Sequence, residues 1–400
     1  MFAMLAFGEV IARKSLNASG LSITLLTMTM PVASLTSIWW ARIIVGRNQG
    51  RLLLRFGAVA FLILTTGVLL HSMLHLLLMY FLFYLMQSLF TPSENRILQQ
   101  HIPSAKTGKL FGLAAAIRMG IAATFSVLAG MYMDRVENGY QHLYFFVAFV
   151  MLLAISQLAS ISTGHIAGAE PQPINKTLML APLKRVLDLL KRRKDFLRFE
   201  GAFMLYGIAF MMTLPVIPLY LVDDLGFSYS EIGLARGTIP QLVMILFIPF
   251  FGRIFDMTTP HRLATIIFFL LAFFPLLLLW AGMHEGTRRM LMIYAAFGLF
   301  GFAMSGVMVL WSLSSLRFAG DEDAGVYHSV HVAATGIRGM IAPLLGYFIM
   351  TTMGKVAALV AASCLWVISS GVTVLMRMWD YRTGYDMSLR AKSAINTDVK

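Results

Sequence analysis

The chain has 400 residues, 58% of them hydrophobic and only 13% charged, with a formal net charge of +13 and a mean hydropathy of +0.76. Soluble domains are about 45–50% apolar and about 25% charged, so a soluble globular protein is excluded. Continuous apolar runs exclude a barrel, which needs alternation, and the positive charge lies mostly in loops on one face, which is a membrane pattern and not a nucleic-acid one.

The segments 52–73, 263–283 and 356–376 each exceed the roughly 18 residues of a spanning candidate. Hydropathy predicts an all-α membrane protein with twelve spans, at 1–12, 21–46, 52–72, 74–96, 108–133, 142–163, 198–222, 230–252, 262–282, 289–316, 324–350 and 354–378. A polar stretch with Pro, Lys and Arg separates the sixth from the seventh. The expected organisation is a first six-helix bundle (1–163), a linker (164–197), a second six-helix bundle (198–378) and a tail (379–400).

Lys and Arg set the orientation. The 2–3 junction carries Arg42, Arg47 and Arg51, the linker Lys176, Lys184, Arg185 and the run 191–194, and the tail Arg382, Arg390, Lys392 and Lys400. The opposite loops are poorer, apart from Arg13, Lys14, Arg288 and Arg289. The linker and C-terminus are expected in the cytoplasm, with the chain a multi-pass protein of the plasma (inner) membrane. No cleavable signal peptide is recognised. Within the linker, Pro182 is suited to open a helix. Leu183, Val186, Leu187 and Leu190 then share a face, which predicts an amphipathic helix on the inner leaflet.

Polar residues inside the spans are the candidate site. In span 4, Tyr80, Tyr84, Gln87 and Thr91 follow one helical face. Such a stripe faces water or a partner, not lipid. Span 7 carries Tyr206 and Thr213, and span 10 carries Ser305 and Ser312; interhelical hydrogen bonding is the alternative for all of these hydroxyls. His328, His331, Thr335 and Arg338 are spaced 3, 4 and 3 in span 11. Arg338 lies ~20 Å into its helix, and Arg118 ~15 Å into span 5. Two guanidiniums aimed at one cavity would bind a carboxylate or phosphate through paired hydrogen bonds. The alternative is that each arginine bonds within its own half. Glu9, Glu94 and Glu200 are the acidic candidates for proton coupling. His71 and His75 have i, i+4 spacing but no acid or Cys nearby, so no metal or cofactor is expected. The lone Cys364 permits no intrachain disulfide.

The halves repeat. "LNASGLSI" from Leu16 aligns with "FSYSEIGL" from Phe227, 211 residues on, and the same offset places Arg51 on Arg262. "AIR" at 116–118 aligns with "GIR" at 336–338, which makes Arg118 and Arg338 repeat mates. On this register the start of span 1 falls upstream of Met1, so span 1 is expected to lack its cytoplasmic half.

"GRIFDMTTPHR" at 252–262 is similar to the cytoplasmic loop signature of the major facilitator superfamily, G-x-x-x-D-(R/K)-x-G-(R/K)-(R/K). Gly252, Asp256 and Arg262 match; Met257 and Pro260 depart, and the first-half copy has Val45 in place of the acid. "PSENRILQQHIPSAKTGKLFG" resembles the family's connection from helix 4 to helix 5. The resemblance implies a monomeric secondary transporter working by alternating access, with a small-molecule substrate in a cavity lined by spans 1, 4, 7 and 10 and protons as candidate coupling ions. It also implies a cytoplasmic gate in which Asp256, with Gly252, Arg253 and Arg262 in its loop, meets the helix start at Thr107 and Gly108. Partners would be membrane lipids and no nucleic acid. An enzyme is disfavoured, because no nucleophile–base pair appears. A non-transporting receptor or assembly partner, and proton-driven efflux of amphipathic compounds, are the alternatives.

Overall fold

The computed structural model describes residues 7–36, 47–101, 104–161, 176–320 and 324–382, with Met4, Trp39, Trp40 and Glu322; the side chains of 49, 91, 92, 94–111, 176–183, 324, 325 and 379–382 are not among those described. There are 13 helices and no strand among them. The first six are α1 (Gly8–Lys14), α2 (Gly20–Ser34), α3 (Gln49–Thr65), α4 (Met73–His101), α5 (Ser104–Arg135) and α6 (Gly139–Ile161). The linker contributes α7 (Lys176–Arg192). The second six are α8 (Lys194–Asp224), α9 (Tyr229–Met257), α10 (Pro260–Gly282), α11 (Gly286–Ala319), α12 (Ala324–Met353) and α13 (Lys355–Arg382).

Ten of these helices are long and apolar enough to cross a membrane; α2 is apolar but shorter. Their starts follow sequence chemistry. Asn48 accepts from Arg51 N at α3, and Thr259 accepts from Arg262 N at α10, with Pro260 in the first turn. Ser228 and Glu231 form a reciprocal capping box at α9. Between α12 and α13 the chain turns at Gly354, whose φ of 92° favours glycine.

Two expectations need correction. The linker helix opens at Lys176, ahead of Pro182, because a proline removes one backbone donor without forbidding the turn before it. Its apolar face is not given wholly to lipid. Leu189 is buried and Val186 and Leu190 pack on the protein core, whereas Leu187 is exposed.

The second half has the denser aromatic core. Phe196, Phe199 and Phe203 recur at helical spacing along α8 and are buried against Phe318, Tyr327 and Phe268. Leu246, Phe348 and Leu375 are exposed on the outside, as lipid-facing residues should be.

The halves meet through α5 with α9 and through α2 with α12. A Cβ on Gly233 or Gly237 would lie within 2.4 Å of Ser126 atoms, and one on Gly339 would lie 2.1 Å from Pro31 Cβ. Small residues let these backbones approach closely, which is the usual solution where lipid offers no hydrophobic drive.

Candidate functional site

A polar cluster lies inside the second half, between α8 and α12. His331 Nδ1 and Glu200 Oε1 are 2.7 Å apart, at 0% and 5% exposure. The His331 ring packs against Trp311 at 4.1 Å and Phe203 at 4.6 Å. One turn on, Thr335 Oγ1 donates to the His331 carbonyl and accepts from Arg338 Nη2 at 3.0 Å. Arg338 Nη1 donates to the Phe203 carbonyl at 2.9 Å, and its guanidinium lies over the Phe203 and Trp311 rings. The 4, 3 spacing of His331, Thr335 and Arg338 therefore builds one hydrogen-bonded chain through the His331 carbonyl, while His328 meets Trp311 edge-on at 6.3 Å. Glu200 belongs to the same buried cluster and attracts Arg338 electrostatically, which favours a buried charge.

This corrects the expectation of two arginines sharing a cavity. Arg338 is 4% exposed and bonded within its own half. It fills the notch at Gly207, where a Cβ would lie 2.3 Å from its Cζ. Its repeat mate Arg118 is exposed on α5. No hydrogen bond or ion pair to Arg118 is found among the described residues.

The other predicted polar side chains make mostly local contacts. Tyr80 is buried, with its hydroxyl 2.9 Å from that of Tyr144. Tyr84 meets Tyr80 edge-on, and Gln87 Oε1 is buried without a partner. Tyr206 stacks on Phe268 at 4.6 Å. Thr213 and Ser305 donate to carbonyls of their own helices, Phe210 and Gly301, whereas Ser312 is exposed. The side chains of Thr91, Glu94, Thr107 and Gly108 lie outside the described residues. Arg253, Asp256 and Arg262 are exposed on the linker side beside Gly252.

The groups that sequence reasoning missed lie along the seam between the halves, at the end away from the linker. Asp134, closing α5, accepts from the Tyr229 and Ser230 backbone N–H groups, each at 2.8 Å. One half thus caps a helix of the other, where the free donors and the dipole favour an anion. Arg13 Nε pairs with Asp223 at 2.7 Å, and Lys355 holds Asp223 and Asp224. Lys14 donates to the Phe227 carbonyl and lies over the Tyr229 ring. Thr238 Oγ1 donates to the Ala123 carbonyl at 2.7 Å. Also within the seam, Arg236 on α9 pairs at 3.5 Å with Glu9 on α1, one of the acidic candidates named from the sequence. Arg13 and Lys14 had stood out as basic residues on the charge-poor side; the seam accounts for both. The signals available were the lone arginine in "EIGLARGTIP" and the acid that ends span 5.

Two six-helix bundles meeting along a small-residue seam, with charge pairs across it, define the transporter fold of multi-pass membrane proteins. Residues 199–386 match the model of the Major Facilitator Superfamily. The matched residues lie in the second half of the chain, beginning in α8. No curated protein matches it. Among solved structures it resembles a POT family transporter in complex with 5-aminolevulinic acid, at 11% identity and a TM-score of 0.76, covering 94% of this chain and 92% of that one. A bacterial homologue of the human drug peptide transporters PepT1 and PepT2 aligns at 12% identity and a TM-score of 0.69, over 95% of both chains. The nucleoside transporter NupG, as a mutant, aligns at 12% identity and a TM-score of 0.67, over 93% of both. At these identities the likeness establishes the fold.

Proposed function

We propose that this protein is a secondary active transporter that moves a small anionic or zwitterionic solute by alternating access. The distribution of cross-half contacts carries this reading. Arg13, Lys14, Ser15 and Asp134 of the first half all bond the second half at the end away from the linker. That end is closed, and it is held by polar contacts that water can replace when the halves rock apart. The excess of Lys and Arg in the linker supports reading the closed end as the outer one. The neighbouring folds belong to proteins that carry nucleosides and peptides or bind 5-aminolevulinic acid, which supports small polar cargo. Arg118 favours an anionic group: it is an exposed charge within an apolar span, and lipid exposure would cost about 2.5–3.5 kcal/mol or more.

Counterflow into proteoliposomes tests the proposal, with labelled carboxylates, phosphates, amino acids, nucleosides and organic cations as the panel. Saturable exchange of an anion or zwitterion, weakened in Arg118→Ala, is the expected result. Exchange confined to cations and indifferent to Arg118→Ala would overturn the choice of cargo. Exchange of no solute at all would overturn transport itself.

A further inference from the structure

The outer edge of the second half changes character where the linker helix α7 gives way to α8. Arg193, with ψ of 81°, breaks the helix between them. Leu187 and Lys191 before the break, and Lys194 and Leu197 after it, are all exposed. No ion pair to either lysine is found among the described residues. Exposed leucines interleaved with lysines suit a surface that is part hydrocarbon and part headgroup. Next to it, α8 and α13 form a groove lined by Arg198, Val372, Leu375 and Met376, with Leu375 66% exposed. The two helices are tied together just beyond, where Ser369 Oγ donates to the Ala202 carbonyl at 2.8 Å. Beside that bond, Gly201 and Gly371 are both exposed, and a Cβ on either would meet nothing within 4 Å. At that depth the helices are pinned on one side and bare on the other. Gly201 lies ~10 Å further from the linker end than Lys194.

We infer that this edge is a binding site for an anionic phospholipid. Lys191 and Lys194 meet the phosphate. An acyl chain lies in the groove along Leu375 and Val372 and over the bare backbone at Gly201 and Gly371. Arg198 is itself engaged, so it walls the groove with its methylene stem and is not needed as a free charge. Basic pockets between helices on this side of a bilayer suit anionic headgroups. A zwitterionic lipid gains the same groove but sets its own cation against the lysines. A soluble phosphate gains the lysines but no groove. The lysines therefore set headgroup preference, and the glycines set the seat of the chain.

Quenching by brominated lipids tests this locally. The full chain carries Cys364→Ser and a fluorophore on Met378→Cys, an exposed position three residues beyond Leu375, and is placed in nanodiscs. Brominated phosphatidylglycerol should reach that position about tenfold better than brominated phosphatidylcholine of the same chains, since each lysine near an anionic surface contributes about fivefold. Lys191→Gln with Lys194→Gln should bring the preference to within about twofold of unity. Gly201→Leu with Gly371→Leu fills the bare stretch and should lower the preference several-fold with both lysines intact. Thermal unfolding in detergent checks that each variant is folded. The same fluorophore on Leu246→Cys, exposed on α9, should show no preference. Equal quenching by the two lipids, or a preference untouched by the lysine pair or by the glycine pair, would each overturn the inference. An equal preference at Leu246→Cys would reduce it to a general attraction of the +13 chain and overturn the site. Loss of the preference on adding glycerol phosphate would assign the lysines to a soluble phosphate and overturn the lipid.

Discussion

At position 338 a permanent charge sits near the middle of an apolar helix, held by the Phe203 carbonyl, Thr335 and the notch at Gly207. Two predictions follow from that geometry. Arg338→Met should cost about 3–5 kcal/mol, because Glu200 loses its balancing charge in low dielectric. Adding Glu200→Gln should restore part of the loss, since residues in one network are not additive. Thermal unfolding in detergent reads both, and an additive double variant would show that Glu200 and Arg338 are independent. Gly207→Ala should cost about 1–3 kcal/mol, because the added methyl displaces the guanidinium. The relay from His331 to Arg338 was legible in the sequence from spacing alone. Its partner was not, because spacing along one helix says nothing about which neighbour comes close. Only the glycine at 207 hinted at it, and glycines are common in membrane helices.

Among the elements, α5 and α9 meet most informatively at Asp134. Asp134→Ala leaves the Tyr229 and Ser230 N–H groups without their acceptor. Loss of such a cap costs ~1–2 kcal/mol, enough to favour opening by roughly 5–30-fold. Thiol labelling of a cysteine introduced at Ser15, in the seam, should therefore quicken in the variant; an unchanged rate would remove Asp134 from the gate. The linker helix makes a different contact. Its last residue, Arg192, and the adjoining Arg193 both pair with Glu322. Burial tends to raise the Glu322 carboxyl, but the two guanidiniums outweigh it and hold it below its ordinary range. A depressed carboxyl stabilises the docked helix above the ordinary glutamate range, and the contribution is lost as pH falls through the lowered value. Hydrogen exchange across 184–193 should accordingly rise only on acidification, and Glu322→Gln should remove most of that pH dependence. Helix number and order were legible because an apolar run of about 20 residues has few alternatives in a bilayer. The docking of α7 was not legible. Its Leu189 falls off the face formed by Leu183, Val186, Leu187 and Leu190, and only the neighbouring bundle decides that it is buried.

For the whole molecule, the repeat matters more than any single pair. The 211-residue offset identifies two equivalent bundles, so a rigid-body rocking of one against the other is the simplest motion they allow. Among the described residues, the polar seam contacts fix the end away from the linker. Rocking about a central site then requires the two ends to move oppositely, opening at one and closing at the other. Spin labels can measure both at once, after the exposed Cys364 is replaced by serine. Glu137 and Glu285 are exposed in turns at the closed end, one in each half, and Arg51 and Arg253 are exposed at the linker end, also one in each half. In the wild-type chain the 137–285 pair should show its short distance as the main population. Asp134→Ala should add a population longer by several Å, the scale of a hinge or shear movement. The 51–253 pair should shorten in the same sample and by a similar fraction. If the outer pair lengthens while the linker-side pair stays put, the halves are not moving as rigid bodies, and the opening is a local unlatching of α9 from α5.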